Sequence, residues 1–336
     1  MRYRIVWSDG PPRTVLDFIK RFNQGAIAKA RIAWNGGYIL NAELVGKLGL
    51  PESYIGSPLG LIISDGEVIC PPLFNKPALL VGKDDSLSIR RVNARSGMRV
   101  SGAGMTVDFE PCSYNVVAPG AGPCFYDLLF PGNELPGDGR TLVRLAGARV
   151  MEVIHTGAGQ DVPVLPVGLC LSFARGELPD GWVDGIQLDF ELPDLVDVAQ
   201  AVEAGPMLVS GGRSCIDMDA EGWKTKNSIA TQAARLDYLD MRGPKIAVGV
   251  AANGTLSVLT VNGRIRESVG ATHGEMAEIL STHGVESAMG FDPGGSSTLV
   301  VGDEPLNISP YNQDYERNVY SMPPQPRAVA NVVIGY

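Results

Sequence analysis

The sequence has few of the residues that bind transition metals or build nucleophile-base pairs. It contains only three histidines in 336 residues, and it has no HExxH motif, no EF-hand loop and no Gly-x-Ser-x-Gly elbow. A serine hydrolase would need Ser296 or Ser297 beside His155, His273 or His283, and His273 is expected at an exposed helix start. These shortages argue against a zinc enzyme and against a serine hydrolase.

Paired cysteines are also lacking. The five cysteines form no CxxC pair and no zinc-finger spacing. Free thiols are therefore the expectation, and a Cys112–Cys124 disulfide stays open.

Positive charge and long apolar runs are scarce as well. The 28 Lys and Arg are outnumbered by 37 Asp and Glu, which argues against a nucleic-acid-binding protein. The longest uncharged apolar run, residues 162–174, is too short for a membrane span and contains two prolines. No apolar signal-peptide core follows Met1, so we expect a cytoplasmic protein, or an exported one if a leader lies outside this chain.

What the sequence does contain is a globular pattern rich in short β-type runs. Hydrophobic residues make up 45% and charged residues 19%, enough for a sizeable core. Helical spacing predicts helices only over residues 13–24, 195–203 and 272–283. We therefore predict an α+β fold: one strand-rich domain over residues 1–336, with a mixed β-sheet and a few packed helices. The polar stretch 214–243 is predicted to be a flap or insertion, with solvated surface as the alternative.

One loop near the C-terminus carries the strongest chemical signal. Asp292 is followed by two glycines and three hydroxyl residues, between two apolar β-type runs. Glycines let backbone N–H groups approach an anion, hydroxyls add donors, and a carboxylate supplies a base, a nucleophile or a metal ligand. No Lys follows the glycines, so the loop is not a P-loop. The alternative is a Gly-rich hairpin whose Asp caps its own turn.

The order of several short motifs makes the chain resemble a known family. These are Asn-Gly-Gly at 35–37, Gly-Ser-Pro-Leu-Gly-Leu-Ile-Ile-Ser-Asp-Gly at 56–66, Gly-Pro-Met-Leu-Val at 205–209, the loop 292–298, and Arg-Ala-Val-Ala-Asn at 327–331. Together they resemble the phosphodiester glycosidase family, and the resemblance spans almost the whole chain.

The resemblance implies a hydrolase that cleaves the bond between a sugar's anomeric carbon and a phosphate oxygen. It implies a carbohydrate or phosphoglycan substrate. Composition adds that no nucleic acid and no membrane span are expected, and no cofactor is expected, with a divalent cation left open. Because the leaving group is a phosphate monoester, cations and N–H donors can replace the acid that an ordinary glycosidase needs. The implied catalytic residues are Asp292, Lys245 and Glu275. The implied substrate-binding residues are Asn35, Gly36, Gly37, Gly294, Gly295, Ser296, Ser297, Thr298, Arg327 and Asn331.

Three positions depart from the family pattern. Pro293 replaces a glycine, Lys245-Ile246 replaces Arg-Thr, and Asn262-Gly263-Arg264 replaces Asp-Gly-Arg. Proline removes an N–H, and Lys lacks the bidentate fork of Arg. A glycan- or phosphoglycan-binding module with a degraded site is therefore the alternative function.

Several of these residues also have plainer interpretations. Glu275 stands three residues after Thr272, as in a helix-capping box. Asn35 can bond the backbone at a turn, and Arg327 can lie on the surface.

Overall fold

The computed structural model describes residues 1–8, 10–25, 27–223, 239–308 and 326–336. Three α-helices lie in these ranges: α1 (Val15–Gly25), α2 (Ala42–Lys47) and α3 (His273–Thr282). The strands of the described residues are β1 (Tyr3–Trp7), β2 (Ile32–Asn35), β3 (Ile62–Ser64), β4 (Glu67–Cys70), β5 (Pro77–Gly82), β6 (Leu87–Arg91), β7 (Met98–Gly102), β8 (Met105–Phe109), β9 (Cys124–Tyr126), β10 (Glu134–Leu135), β11 (Thr141–Ala146), β12 (Arg149–His155), β13 (Val162–Pro163), β14 (Cys170–Phe173), β15 (Asp189–Glu191), β16 (Val198–Glu203), β17 (Met207–Ser210), β18 (Arg213–Ser214), β19 (Lys245–Val250), β20 (Leu256–Val261), β21 (Ser287–Gly290), β22 (Leu299–Val301), β23 (Glu304–Pro305) and β24 (Asn331–Gly335).

The strands form four larger sheets. Sheet 1 has the order β1-β24-β2-β22-β23, sheet 2 is β4-β3-β16-β5-β6, sheet 3 is β18-β17-β21-β19-β20, and sheet 4 is β12-β11-β14-β9. A three-stranded sheet, β15-β7-β8, and a two-stranded ribbon, β10-β13, complete the set. Sheet 1 unites the two ends of the chain, since β1 pairs with β24 from Tyr3 opposite Gly335 to Trp7 opposite Asn331.

Sheet 2 separates two hydrophobic cores. Along β16, Ala201 faces the core shared with sheet 4, whereas Val202 faces the core shared with sheets 1 and 3. This follows from the two-residue period of a strand, which places successive side chains on opposite faces. The outer faces of sheets 1 and 3 are covered by α1 and α3. On α1, Val15, Phe18 and Ile19 supply the buried stripe at helical spacing.

The architecture confirms a strand-rich protein and corrects several details of the prediction. A mixed sheet is wrong for the described residues, because every strand pair in the six sheets is antiparallel. The helix over residues 195–203 is also wrong. Leu195 ends a 3₁₀ turn and residues 198–203 form β16, where pairing with β3 and β5 outweighs the helix-forming composition. The helices at 13–24 and 272–283 are confirmed as α1 and α3.

Three further predictions concern the exposure of His273, the pairing of the cysteines and the flap at residues 214–243. His273 is buried, not exposed, because α3 begins against Leu239, whose carbonyl accepts from the His273 N–H. All five cysteines are free, so Cys112 and Cys124 are not joined. Of the flap predicted at 214–243, residues 224–238 lie outside the described residues. No helix in the described ranges is long and apolar enough to cross a membrane.

Candidate active site

The Asp292 loop joins sheet 3 to sheet 1, because it connects β21 to β22. Its middle, Gly294–Ser296, forms a short 3₁₀ turn in which all three residues are buried. Gly294 has φ +71°, in the left-handed region that glycine tolerates, and donates its N–H to Pro244 O over 2.9 Å. The loop is therefore fixed to β19 on one side and to the end of sheet 1 on the other.

Asn35, at the end of β2, binds both ends of this loop. Its Nδ2 donates to Asp292 O over 2.9 Å, and its Oδ1 accepts from the Thr298 N–H over 3.0 Å. The side chain is fully buried. Both of its partners are backbone atoms, as in the plainer interpretation of Asn35 as a residue that bonds the backbone. Asn35 determines where Asp292 can lie.

The two glycines after Asn35 allow close packing of three chain segments. A Cβ at position 36 would lie 1.7 Å from Asn331 Oδ1, and one at position 37 would lie 2.1 Å from Glu203 O. The same Asn331 oxygen accepts from the Gly37 N–H over 2.8 Å. Asn331 Nδ2 is buried without a hydrogen-bond partner among the described residues. Asn35, Gly36, Gly37 and Asn331 are thus assembled around the Asp292 loop.

The Asp292 carboxyl lies in a partly buried, cation-flanked position. Burial raises its pKa, while the charge of Arg327 and a hydrogen bond from Ser296 act in the opposite direction. Arg327 is half-buried. Desolvation and a nearby guanidinium thus act on this carboxylate in opposite directions, and carboxyl groups with such perturbed pKa values are common at functional sites.

Two more cations lie on the β19 side of the loop. Lys245 is buried and donates from Nζ to Met241 O over 3.0 Å. Burial lowers the pKa of Lys245 to about 8, and the charge of Arg264 adds to this effect. The Arg264 guanidinium lies over the loop, since a Cβ at Gly294 would be 3.2 Å from Nη1. Sequence reasoning treated Arg264 only as part of a turn.

Few of the loop's backbone donors are left for an anion. The N–H groups of Asp292, Gly294, Ser297 and Thr298 donate to Gly36 O, Pro244 O, Gly294 O and Asn35 Oδ1. Pro293 has no N–H. At most, Gly295 and Ser296 can therefore offer backbone donors to a ligand, fewer than the glycines alone suggest.

Glu275 occupies a structural position at the start of α3. Its carboxylate accepts from the Thr272 N–H over 2.9 Å, and the Thr272 hydroxyl accepts from the Glu275 N–H, which confirms the capping box. The same carboxylate pairs with Arg242, whose hydrogen bonds are the main cause of its lowered pKa. A catalytic role for Glu275 stays a prediction.

Sequence reasoning missed a buried ionic cluster next to the Gly36-Gly37 segment. It comprises Lys76, Glu203 and Glu221, which are distant in sequence and each no more than 2% exposed. Glu203 Oε2 accepts from the Leu61 N–H over 2.8 Å, while Oε1 is buried with no hydrogen-bond partner in the described part of the chain. Glu221 is bonded to the Met207 N–H, to Arg91 and to the indole N–H of Trp223.

Aromatic rings surround the ammonium group of this cluster. Lys76 Nζ lies 3.6 Å from the ring centre of Phe74, 4.0 Å from Trp223 and 5.5 Å from Tyr38. Cation–π attraction offsets part of the cost of desolvating it. Burial still lowers the pKa of Lys76 to about 7, against the charges of Glu203 and Glu221. No short motif marks these residues, because only the folded topology brings them together.

Replacing Glu203 by Gln is expected to change the pH dependence of stability. Burial raises the pKa of Glu203 from 4.5 to about 8, although the Leu61 N–H and Lys76 act in the opposite direction. Between these values the folded protein keeps a proton that the unfolded chain releases, so the wild type loses stability as pH rises through this window. Urea unfolding at pH 5, 6.5 and 8 measures this. From pH 5 to pH 8 the free energy of unfolding of E203Q should rise by at least about 1 kcal/mol relative to that of the wild type. Parallel stability curves for the two proteins would contradict this expectation.

The structure brings most of the sequence-predicted site residues together. Asn35, Gly36, Gly37, Asn331 and the loop 292–298 are connected by hydrogen bonds, and Arg327 acts electrostatically on Asp292. Lys245 flanks the loop through β19, whereas the Glu275 carboxylate is bound to Thr272 and Arg242. Within the described ranges, no group of three or more His, Cys, Asp or Glu is arranged to hold a metal ion.

Solved structures resemble this fold at low sequence identity. A hypothetical protein from Synechocystis superposes with a TM-score of 0.55 at 18% identity, covering 99% of this chain and 56% of its own. A protein from Burkholderia pseudomallei K96243, described as exported, gives 0.56 at 20% identity, with 99% and 70% covered. The zebrafish N-acetylglucosamine-1-phosphodiester alpha-N-acetylglucosaminidase catalytic domain, auto-inhibited by its pro-peptide, gives 0.50 at 16% identity, with 99% and 72% covered. At these identities the likeness establishes the fold alone.

Sequence comparison adds a curated relative and a family model. The SPbeta prophage-derived uncharacterized protein YomE of Bacillus subtilis (strain 168) is 32% identical over 111 residues, which are 32% of this chain and 17% of YomE. The chain thus spans less than a fifth of that relative's length. The phosphodiester glycosidase family model matches residues 139–334, more than half of the chain. This match covers the Asp292 loop, Arg327 and Asn331, and the chain therefore belongs to the phosphodiester glycosidase family.

Proposed function

We propose that this protein hydrolyses a sugar 1-phosphodiester, releasing the sugar from a phosphate-linked acceptor of the kind found in bacterial envelope polymers. The observation that carries this proposal is the Asp292 carboxyl, whose pKa burial raises, on a loop flanked by the guanidinium groups of Arg327 and Arg264. A carboxylate suits an anomeric centre that gains positive charge in the transition state. Nearby cations suit the phosphate that leaves.

The reaction needs little from a general acid. The C–O bond between the anomeric carbon and the phosphate oxygen breaks, and the phosphate monoester keeps the electron pair. Its second pKa is about 6, so it departs as an anion near neutral pH. In the proposed assignment, Arg327, Arg264 and Lys245 stabilise that anion, since preorganised charges are most effective in a water-poor site.

Asp292 acts in this proposal either as nucleophile or as base. As a nucleophile it would form a glycosyl ester that water then hydrolyses, and as a base it would take a proton from the attacking water. The two differ in outcome, since a covalent intermediate retains the anomeric configuration and direct attack inverts it. NMR of the freshly released sugar distinguishes them.

The remaining residues position these groups. We assign Asn35, Gly36, Gly37 and Asn331, with the loop 294–298, to holding Asp292 and the substrate. Two hydrogen bonds support this assignment: Asn35 Nδ2 donates to Asp292 O, and Asn331 Oδ1 accepts from the Gly37 N–H. Glu275 is assigned a supporting role at the start of α3, because its carboxylate is bound to Arg242 and Thr272.

The test is a cleavage assay run in H₂¹⁸O. Methyl diesters of glucose, galactose and N-acetylglucosamine 1-phosphate are compared with the corresponding 1-phosphates and with aryl glycosides, with and without EDTA. We expect methyl phosphate to be released from diesters, with ¹⁸O in the sugar. Label in the phosphate would instead indicate a phosphodiesterase that cleaves the P–O bond. Saturable binding without cleavage would favour the glycan-binding module.

A further inference from the structure

A groove outside the Asp292 loop has the features of a second carbohydrate-binding surface. It has a volume of about 440 Å³ and runs between the end of β1, the loop 53–58, β4 and the turn from β11 to β12. Its lining includes Trp7, Glu67, Arg149, Met151 and Gln187. This size falls in the range of small-molecule sites.

Three polar side chains of this groove, Glu67, Arg149 and Gln187, are available to a ligand, whereas the Ser8 hydroxyl is bonded to Pro11 O and Arg13. Glu67, Arg149 and Gln187 are exposed, and none forms a side-chain hydrogen bond or ion pair with another described residue. A carboxylate, a guanidinium and an amide offer the acceptors and donors that sugar hydroxyls use in pairs. Trp7 is only partly buried, and its indole gives an apolar surface with a polar edge.

The groove is connected to the candidate active site through sheet 1. Trp7 pairs directly with Asn331, and Asn331 in turn holds Gly37 beside the Asp292 loop. The Ser8 N–H donates to Ala330 O, in the segment that also carries Arg327. Ala330 and Asn331 are therefore bonded or paired to two residues that line the groove, Ser8 and Trp7.

The distance across sheet 1 is short. The ends of β2, β24 and β1 are neighbours in the sheet, so two interstrand spacings, about 10 Å, separate the backbone of Asn35 from that of Trp7. Asn35 binds the Asp292 loop, so the groove and this loop lie on neighbouring strands, close enough for an extended ligand of a few sugar units to reach from one toward the other. A free monosaccharide phosphate cannot reach both places at once.

We propose that this groove binds the acceptor glycan of the substrate, that is, an oligosaccharide segment attached beyond the phosphate. The inference rests on the proposed function, which it extends from a single glycosidic phosphodiester to a phosphate-linked glycan chain. Trp7 stacks on a sugar face, and Arg149 and Gln187 bind hydroxyl groups. These residues determine preference for chain length and do not take part in bond cleavage.

Binding can be measured without any turnover. Three of the four tryptophans, Trp34, Trp182 and Trp223, are no more than 1% exposed, so iodide quenching of fluorescence reports chiefly on Trp7. We expect chitohexaose, cellohexaose or maltohexaose to protect Trp7 from iodide in a saturable way. Arg149→Ala should weaken this binding about tenfold. Arg175→Ala, which removes an exposed Arg that does not line the groove, should not.

Kinetics then separate this inference from the proposed function. Two substrates are compared: a sugar 1-phosphodiester whose acceptor is a hexasaccharide, and the corresponding methyl diester. The kcat/KM for the first divided by that for the second should fall about tenfold in Arg149→Ala. If the protein hydrolyses the methyl diester but no hexasaccharide protects Trp7 from iodide, glycan binding in the groove is wrong and the proposed function stands. Glycan binding weakened by Arg149→Ala, without hydrolysis of any diester, would support the groove and overturn the function.

Discussion

Changing Asp292 to Asn is expected to lower kcat/KM for a sugar 1-phosphodiester by at least about 100-fold. Asn is nearly isosteric and can still accept the hydrogen bond from Ser296, so the loop should keep its shape. It cannot take up a proton or form a glycosyl ester as a carboxylate does. The loss should therefore appear mainly in kcat.

The pH profile gives a second readout of the same residue. Burial raises the pKa of Asp292 above its ordinary value, and a nucleophile or base must be ionised to act. Activity should therefore be lost as pH falls through this raised pKa, above the value of about 4 usual for Asp. In D292N the residual activity should lack this acidic limb.

A matched control is Asp108→Asn. Asp108 is an exposed carboxylate on β8, paired with Arg99, and is far along the chain from the Asp292 loop. This variant should keep wild-type kinetics. A loss of less than about threefold in D292N, below 1 kcal/mol of transition-state stabilisation, would remove Asp292 from catalysis.

The parts of the site that the sequence predicts are those encoded locally. The Asp292 loop is recognisable because an acidic residue, glycines and hydroxyl residues follow one another between two β-type runs. The capping box of α3 is equally local, since Thr272 and Glu275 are three residues apart. Such signals depend on backbone geometry within one turn, and this geometry does not depend on how distant segments of the chain pack.

Features that depend on distant pairing were beyond the sequence pattern. Lys76, Glu203 and Glu221 meet only because β16 pairs with β5 and the chain returns after β18. Residues 195–203 contain good helix formers, yet burial between two strands makes most of them part of β16. Arg264 has an ordinary turn sequence, and its position over Gly294 follows from the packing of sheet 3. Strand order, antiparallel pairing and buried ion clusters are consequences of tertiary structure.

Gly37→Ala is expected to destabilise the protein by about 3 kcal/mol or more, because the added methyl group would meet a backbone atom. A Cβ at this position would lie 2.1 Å from Glu203 O, and this carbonyl belongs to the last residue of β16. A flexible side chain could rotate away, but β16 is paired on both sides by β3 and β5. Relief therefore requires the 35–37 segment to move, which would break the Gly37–Asn331 hydrogen bond.

The control for this prediction is Gly46→Ala. Gly46 lies inside α2, where a Cβ would have no neighbour within 4 Å and the backbone is not in the left-handed region. Alanine there should stabilise the fold by about 0.5–1 kcal/mol, through its higher helix propensity. Urea unfolding followed by tryptophan fluorescence measures both variants. If Gly37→Ala stayed within 1 kcal/mol of wild type, the 35–37 segment would not be held against β16. The position of Asp292 would then depend on Asn35 and on the Gly294–Pro244 hydrogen bond, and activity should survive the substitution.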